Sequence, residues 1–153
     1  MELRRAGIKD ACLLWELQRE AFAGLLAKYQ DYDTNPGNES LERIEEKLRE
    51  TGSYFYMILE KDKIAGAIRI VDRKDGARKR ISPLFILGEY RNRGCAQSAI
   101  IEAERIHGED NWALSTILQE IGNCYLYEKM GYHRTGQTEA VNDKMTIVYY
   151  EKN

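Results

Sequence analysis

The sequence is short of cysteine, proline and histidine, with three, two and two among 153 residues. Cys12, Cys95 and Cys124 are odd in number and widely spaced, which excludes a disulfide framework and a cysteine metal site. They read as reduced thiols of an intracellular, cytoplasmic protein. His107 and His133 are too few for a histidine-rich metal centre, so no metal is expected. No apolar run approaches the ~20 residues of a membrane span. The opening MELRRAGIKD has no apolar signal-peptide core. A net charge of -2 removes any global attraction to nucleic acid or an anionic membrane. The basic stretch RKDGARKR, Arg73 to Arg80, has no aromatic platform beside it and reads as a solvated hairpin end. Neither Gly-x-x-x-x-Gly-Lys-Ser/Thr nor Gly-x-Gly-x-x-Gly occurs, which argues against a P-loop nucleotidase and a dinucleotide-binding fold.

What is present is an ordinary globular mixture, 43% hydrophobic and 31% charged. Its length fits a single domain, 1–153, able to bury roughly 68–70% of the unfolded surface. Met1 to Arg5 reads as a short strand, and helical spacing predicts a helix over Lys9 to Lys28. Tyr29 to Ser40 (YQDYDTNPGNES) is a loop, with Asn38 the expected N-cap of a second helix that ends at Thr51-Gly52. Three strands follow, over Tyr54 to Leu59, Ile64 to Val71 and up to Leu87, forming an antiparallel meander with Asp75-Gly76 as a hairpin signal. Pro83 removes one ladder hydrogen bond from the third strand, so a bulge or an edge position is expected there. Then come a helix over Ala96 to His107, a strand over Trp112 to Ile117, a helix over Gly122 to Met130, and a strand over Lys144 to Tyr150 paired with Tyr132 to Gln137. The expected fold is α/β: a mixed sheet, mostly antiparallel, with one parallel crossover and helices on both faces.

One turn carries chemistry. GEYRNRGCAQS, Gly88 to Ser98, joins a strand to a helix N-terminus. Unpaired amides and the helix dipole make such a point an anion site. Gly94 and Ala96 allow close backbone approach, and Arg91 and Arg93 supply positive charge. The same residues also fit a solvated basic turn closed by a glycine.

The segment Arg91-Asn92-Arg93-Gly94-Cys95-Ala96 resembles the Arg/Gln-x-x-Gly-x-Gly/Ala signature of the GCN5-related N-acetyltransferase (GNAT) superfamily. NCYLYEKMGY, Asn123 to Tyr132, resembles its second signature, about thirty residues on as in that family. Ala96 stands where glycine is more frequent, Cys95 where an aliphatic residue is common, and Gly88 at a position that is often proline. The resemblance covers nearly the whole chain. It implies a sheet whose parallel pair splays around acetyl-coenzyme A. The diphosphate contacts fall on the loop, Arg91, Arg93, Gly94, Cys95, Ala96 and Gln97, with backbone contacts to pantetheine from Phe85, Ile86 and Leu87. Asn123 matches the asparagine that bonds the cofactor arm. Tyr127 matches the tyrosine near the coenzyme sulfur, often a general acid. Homodimers are common in the family.

The implied reaction is acetyl transfer to a primary amine of a small molecule or peptide. A phenol of ordinary pKa near 10 can give the leaving thiolate its proton, which suits Tyr127. The third strand carries no glutamate from Lys79 to Leu87, so Glu120 is a candidate base, directly or through water, with Glu20, Asp31 and Asp33 as others and an ordered water alone as a further route. That gap leaves open a coenzyme A-binding module without turnover. The loop Tyr29 to Ser40 is expected to border the acceptor, with Tyr29, Asp31, Tyr32 and Asp33 suited to a cationic amine by charge and cation–π contact, though the same residues also fit a solvated acidic surface loop.

Overall fold

A computed structural model describes residues 1–153. Seven strands form one sheet: β1 (Glu2–Arg5), β2 (Ser53–Glu60), β3 (Lys63–Val71), β4 (Lys79–Ile86), β5 (Trp112–Ile117), β6 (His133–Ala140) and β7 (Thr146–Lys152). Four helices accompany them: α1 (Ala11–Tyr29), α2 (Leu41–Arg49), α3 (Cys95–His107) and α4 (Ile121–Lys129). The sheet order is β1-β2-β3-β4-β5-β7-β6, antiparallel everywhere except between β4 and β5.

Strand β2 is apolar at successive positions because both of its faces are covered. Phe55, Met57 and Leu59 pack with Leu14 and Ala21 of α1 and Ile44 of α2. Tyr56 and Ile58 point the other way, toward Ala99, Ile100 and Ala103 of α3. The period-2 alternation of a strand thus feeds two cores. Lys61 and Asp62 turn β2 into β3 with φ of 50° and 67°, the left-handed pair that matches hairpin twist.

Pro83 sits in a central strand, and the register explains how it is tolerated. Ile68 pairs with Leu84 and Ile70 with Ile81, so Ser82 and Pro83 together oppose Arg69. This is a β-bulge. Buried Arg69 secures it, donating to Ser82 O at 3.0 Å and to Ser53 Oγ at 2.8 Å. The cap of α2 differs from the sequence expectation. Ser40, not Asn38, takes the role, its Oγ accepting from Arg43 N at 3.1 Å. Asn38 instead donates to Tyr32 O at 2.6 Å, because a 3-10 turn over Pro36–Asn38 places it two residues too early.

One feature of the sheet positions the site. Strands β4 and β5 pair only at Lys79–Trp112 and Arg80–Ala113. Beyond these, β4 stays with β3 to Ile86 and β5 stays with β7 to Ile117. The parallel pair therefore opens into a V at its carboxyl ends, with helix α1 beside it.

Candidate active site

The turn between β4 and α3 occupies one arm of the V. Asn92 and Gly94 take φ of 62° and 79°, both left-handed, and curl the chain into the first turn of α3. Gly94 is the N-cap, and a Cβ built on it would meet nothing within 4 Å. Its requirement is therefore the positive φ, which favours glycine, and not room. Ser98 N bonds Gly94 O at 3.0 Å, the first intrahelical bond at this end. The amides of Cys95, Ala96 and Gln97 precede it and have no carbonyl within the helix. With the dipole behind them they form an anion site.

The two arginines have different duties. Arg93 lies over the Tyr90 ring at 5.7 Å and keeps its guanidinium exposed. Arg91 donates Nε to Ile86 O at 2.9 Å and Nη2 to Ala21 O at 2.9 Å, so it ties the turn to α1. Cys95 is buried, and burial, followed by nearby Glu60, pushes its thiol pKa up. It packs as a small apolar residue.

The edge of β4 follows from its pairing. Leu87 N donates to Ala65 O at 2.7 Å. By antiparallel alternation Phe85 also turns its amide toward β3, while Leu84 and Ile86 turn theirs into the V. Of the three residues read from the sequence, Ile86 thus faces the cleft with its backbone, Phe85 also lines it though its side chain packs in the core under α1, and Leu87 is buried and bonded away from it.

A cavity of about 430 Å³ runs along this arm, and Phe85, Ile86, Arg91, Gly94, Cys95, Ala96, Gln97, Glu120, Asn123 and Tyr127 all line it. A second, of about 460 Å³, fills the other side of the V. Its walls are Ile81 to Leu84 of the bulged β4, Ser115 to Ile117 of the splayed β5, the loop after α1, and the β6–β7 hairpin. Phe22, Leu25, Leu84, Asn123 and Tyr127 belong to both cavities, so the two meet at Tyr127.

Asn123 and Tyr127 stand four residues apart on α4 and share a face. The Tyr127 ring is held edge-on by Tyr132, with centroids 6.1 Å apart, and beside Tyr150 at 6.3 Å. Tyr127 is 9% exposed, and its hydroxyl bonds no protein group. Burial, with a smaller contribution from Cys124, pushes its pKa up to about 12. The phenol therefore keeps its proton throughout the neutral range.

Glu120 is bound on both sides. Tyr29 Oη donates to its carboxylate at 2.5 Å and Lys28 Nζ at 2.8 Å. Lys28, then Tyr29, hold its pKa below the usual carboxylate range. It is ionised and weakly basic, and it clasps the end of α1 to the start of α4. Asn142 adds a second tie, donating to Tyr29 O at 2.9 Å.

The residues expected to border an acceptor separate. Tyr29 is buried with its hydroxyl committed to Glu120 and lines neither cavity, and Tyr32 is exposed beside a groove on the far side of α1. Asp31 does line the second cavity, as do Asp33, Glu139 and Tyr149. Glu139 and Tyr149 escape sequence reading because only the fold of β6 on β7 carries them to the V. Tyr149 Oη donates to Glu139 at 3.0 Å.

A sheet that splays beside an amide-lined helix N-terminus, with a buried phenol between two cavities, is a cleft where an anionic molecule and a second molecule can meet. The family described as "Acetyltransferase (GNAT) domain" matches residues 26–153, and the chain belongs to it. The fold is also that of solved acetyltransferases. PaiA N-acetyltransferase from Thermoplasma acidophilum, solved with coenzyme A, is 17% identical, with TM-score 0.71 over 99% of this chain and 98% of its own. A point mutant of spermidine N-acetyltransferase SpeG from Vibrio cholerae is 15% identical, with TM-score 0.72 over 99% and 95%. An acetyltransferase from Thermus thermophilus is 14% identical, with TM-score 0.69 over 97% and 94%. No curated protein matches the sequence significantly.

Proposed function

We propose that the protein is an acetyl-coenzyme A-dependent N-acetyltransferase in which Tyr127 is the proton donor to the leaving sulfur. The observation that carries this reading is the meeting of the two cavities at a buried, protonated phenol that bonds nothing in the protein. Similar folds solved with coenzyme A, or named as N-acetyltransferases, support the choice of donor and of an amine acceptor.

Acetyl-coenzyme A supplies an acetyl group as a thioester. The free amides of Cys95, Ala96 and Gln97 bind its diphosphate, with Arg93 adding charge at the rim. The β4 edge at Leu84 and Ile86 aligns the pantetheine arm and offers an amide to the thioester oxygen, where negative charge develops. Asn123 bonds the arm from α4. The acceptor nitrogen approaches from the second cavity, its lone pair forming the C–N bond as the C–S bond breaks. Tyr127 gives its proton to the sulfur, and the proton lost by the nitrogen passes to water and restores the phenol. Glu120, ionised and doubly bonded, has no part in this step.

The test is thiol release from acetyl-coenzyme A over a panel of monoamines, diamines, amino acids and peptide N-termini, with mass detection of one acetyl group per thiol. Acetylation of any class supports the reading. Thermal stabilisation by coenzyme A with no turnover across the panel would leave a binding module instead.

A further inference from the structure

The acceptor cavity has a lopsided charge. Asp31, Asp33 and Glu139 line it, and no lysine, arginine or histidine does. None of the three carboxylates belongs to an ion pair within the protein. Arg80 acts on Tyr149 electrostatically but lies outside the lining. Asp31 is buried and caps its own loop, accepting from Thr34 N at 3.1 Å and from Thr34 Oγ1. Asp33 is exposed and Glu139 has only the Tyr149 hydroxyl. Like charges gathered at one cavity repel, and a cation from outside relieves them.

Glu139 is not at the reacting end. Around the mouth of the V the lining is neutral: Ser115, Thr116, Asn123 and Tyr127. Glu139 lies two strands out, opposite Ile147, which is itself opposite Ile117. At about 4.8 Å per strand, that puts its backbone about 10 Å from β5. The division has a chemical reason. The attacking nitrogen must be neutral, and a carboxylate against it would hold its proton on. Negative charge set away from the phenol holds a different, permanent positive charge on the same molecule. The independent sign of a ligand here is Tyr127, nine-tenths buried at the junction with its hydroxyl unpartnered.

We infer that the acceptor is a small aliphatic amine bearing a second, distal positive charge, held by Asp33 and Glu139 with Asp31 behind them, while its reacting amine lies at Tyr127. This rests on the acetyltransferase reading above. The same charges disfavour acceptors that carry a carboxylate, such as free amino acids and acidic peptides.

The experiment compares three four-carbon acceptors at saturating acetyl-coenzyme A: the butane α,ω-diamine, n-butylamine and γ-aminobutyrate. Each partly exposed charge pair contributes a few-fold, so two carboxylates without an ion pair give the diamine an advantage of about tenfold in kcat/KM over the monoamine. The aminobutyrate should fall below both. Raising the salt concentration should shrink the diamine's advantage, and the double variant Asp33→Asn with Glu139→Gln should bring the ratio close to one. Equal kcat/KM for diamine and monoamine, or a ratio that survives the double variant, overturns the inference while leaving the acetyltransferase reading standing. No thiol release with any of the three or with the wider panel overturns that reading itself.

Discussion

Replacing Tyr127 by Phe removes one oxygen and leaves the ring between Tyr132 and Tyr150. The fold should not suffer, because that hydroxyl bonds no protein group. The hydroxyl is not among the buried polar atoms left without a partner, so it reaches solvent in the cleft and its removal strands nothing inside the fold. Chemistry should suffer. General acids contribute roughly 10²–10⁴-fold when their pKa lies near the working pH. Tyr127 stands at about 12, well above it. Its benefit then comes mainly from a hydrogen bond to the developing thiolate, roughly 1.5–3 kcal/mol for a bond to a charged group. At about 1.4 kcal/mol per decade, kcat should fall roughly ten- to hundredfold, with KM for acetyl-coenzyme A little changed. The assay is steady-state thiol release beside thermal unfolding of both proteins. An unchanged kcat would remove the acid role. A Tm lowered by several degrees would show that the hydroxyl has a structural partner and that the rate loss cannot be read as chemistry.

Three further outcomes follow from the same geometry. Glu120→Gln keeps the Tyr29 bond but loses the charge that pairs with Lys28; it should raise KM for acetyl-coenzyme A a few-fold and leave the acidic limb of the pH–rate profile in place, whereas loss of that limb would make Glu120 the base after all. Burial raises the pKa of Tyr127, Tyr132 and Tyr150 above the ordinary tyrosine value of 10. Each raised group is neutral in the fold, so its contribution is intact below pH 10. It is lost as the unfolded chain ionises above that, up to about pH 12 for Tyr127, at up to about 1.4 kcal/mol per pH unit for each tyrosine. Alkaline unfolding followed by circular dichroism should therefore be steep above pH 10, with tyrosinate absorbance rising in the same transition; a gradual, non-cooperative rise would contradict it. Gly66→Ala should destabilise by several kcal/mol, since its Cβ would stand 2.1 Å from the Phe85 carbonyl oxygen in β4, and an unchanged denaturant midpoint would show that the two strands can part there.

The order of elements was legible in the sequence because strands and helices announce themselves by local period. Phe55, Met57 and Leu59 alternate with Tyr56 and Ile58, and the helical stripes of α1 and α3 repeat every three or four residues. The turn Arg91 to Gln97 was legible for a similar reason: a positive φ at Gly94 and a helix start are local facts with a local composition. Pro83 marked the bulge because it lacks an N–H, and Asn123 and Tyr127 were brought to one face by their spacing alone. These features need only a few neighbouring residues, so the chain by itself determined them, and with them the family resemblance.

Distance along the chain hid the rest. That Arg91 spends its guanidinium on Ile86 and Ala21, or that Glu120 is clasped by Lys28 and Tyr29 some ninety residues away, depends on how α1 lies beside the V. The turn after α1 sends Asp31 and Asp33 into the cleft but Tyr32 to the far side. Glu139 reaches the second cavity only through β6 pairing with β7 and β7 with β5. The turn before α3 is therefore local and written in the sequence. The second cavity is assembled from five segments, the end of α1 with its loop, β4, β5, α4 and the β6–β7 hairpin, and only the tertiary structure decided which side chains face it.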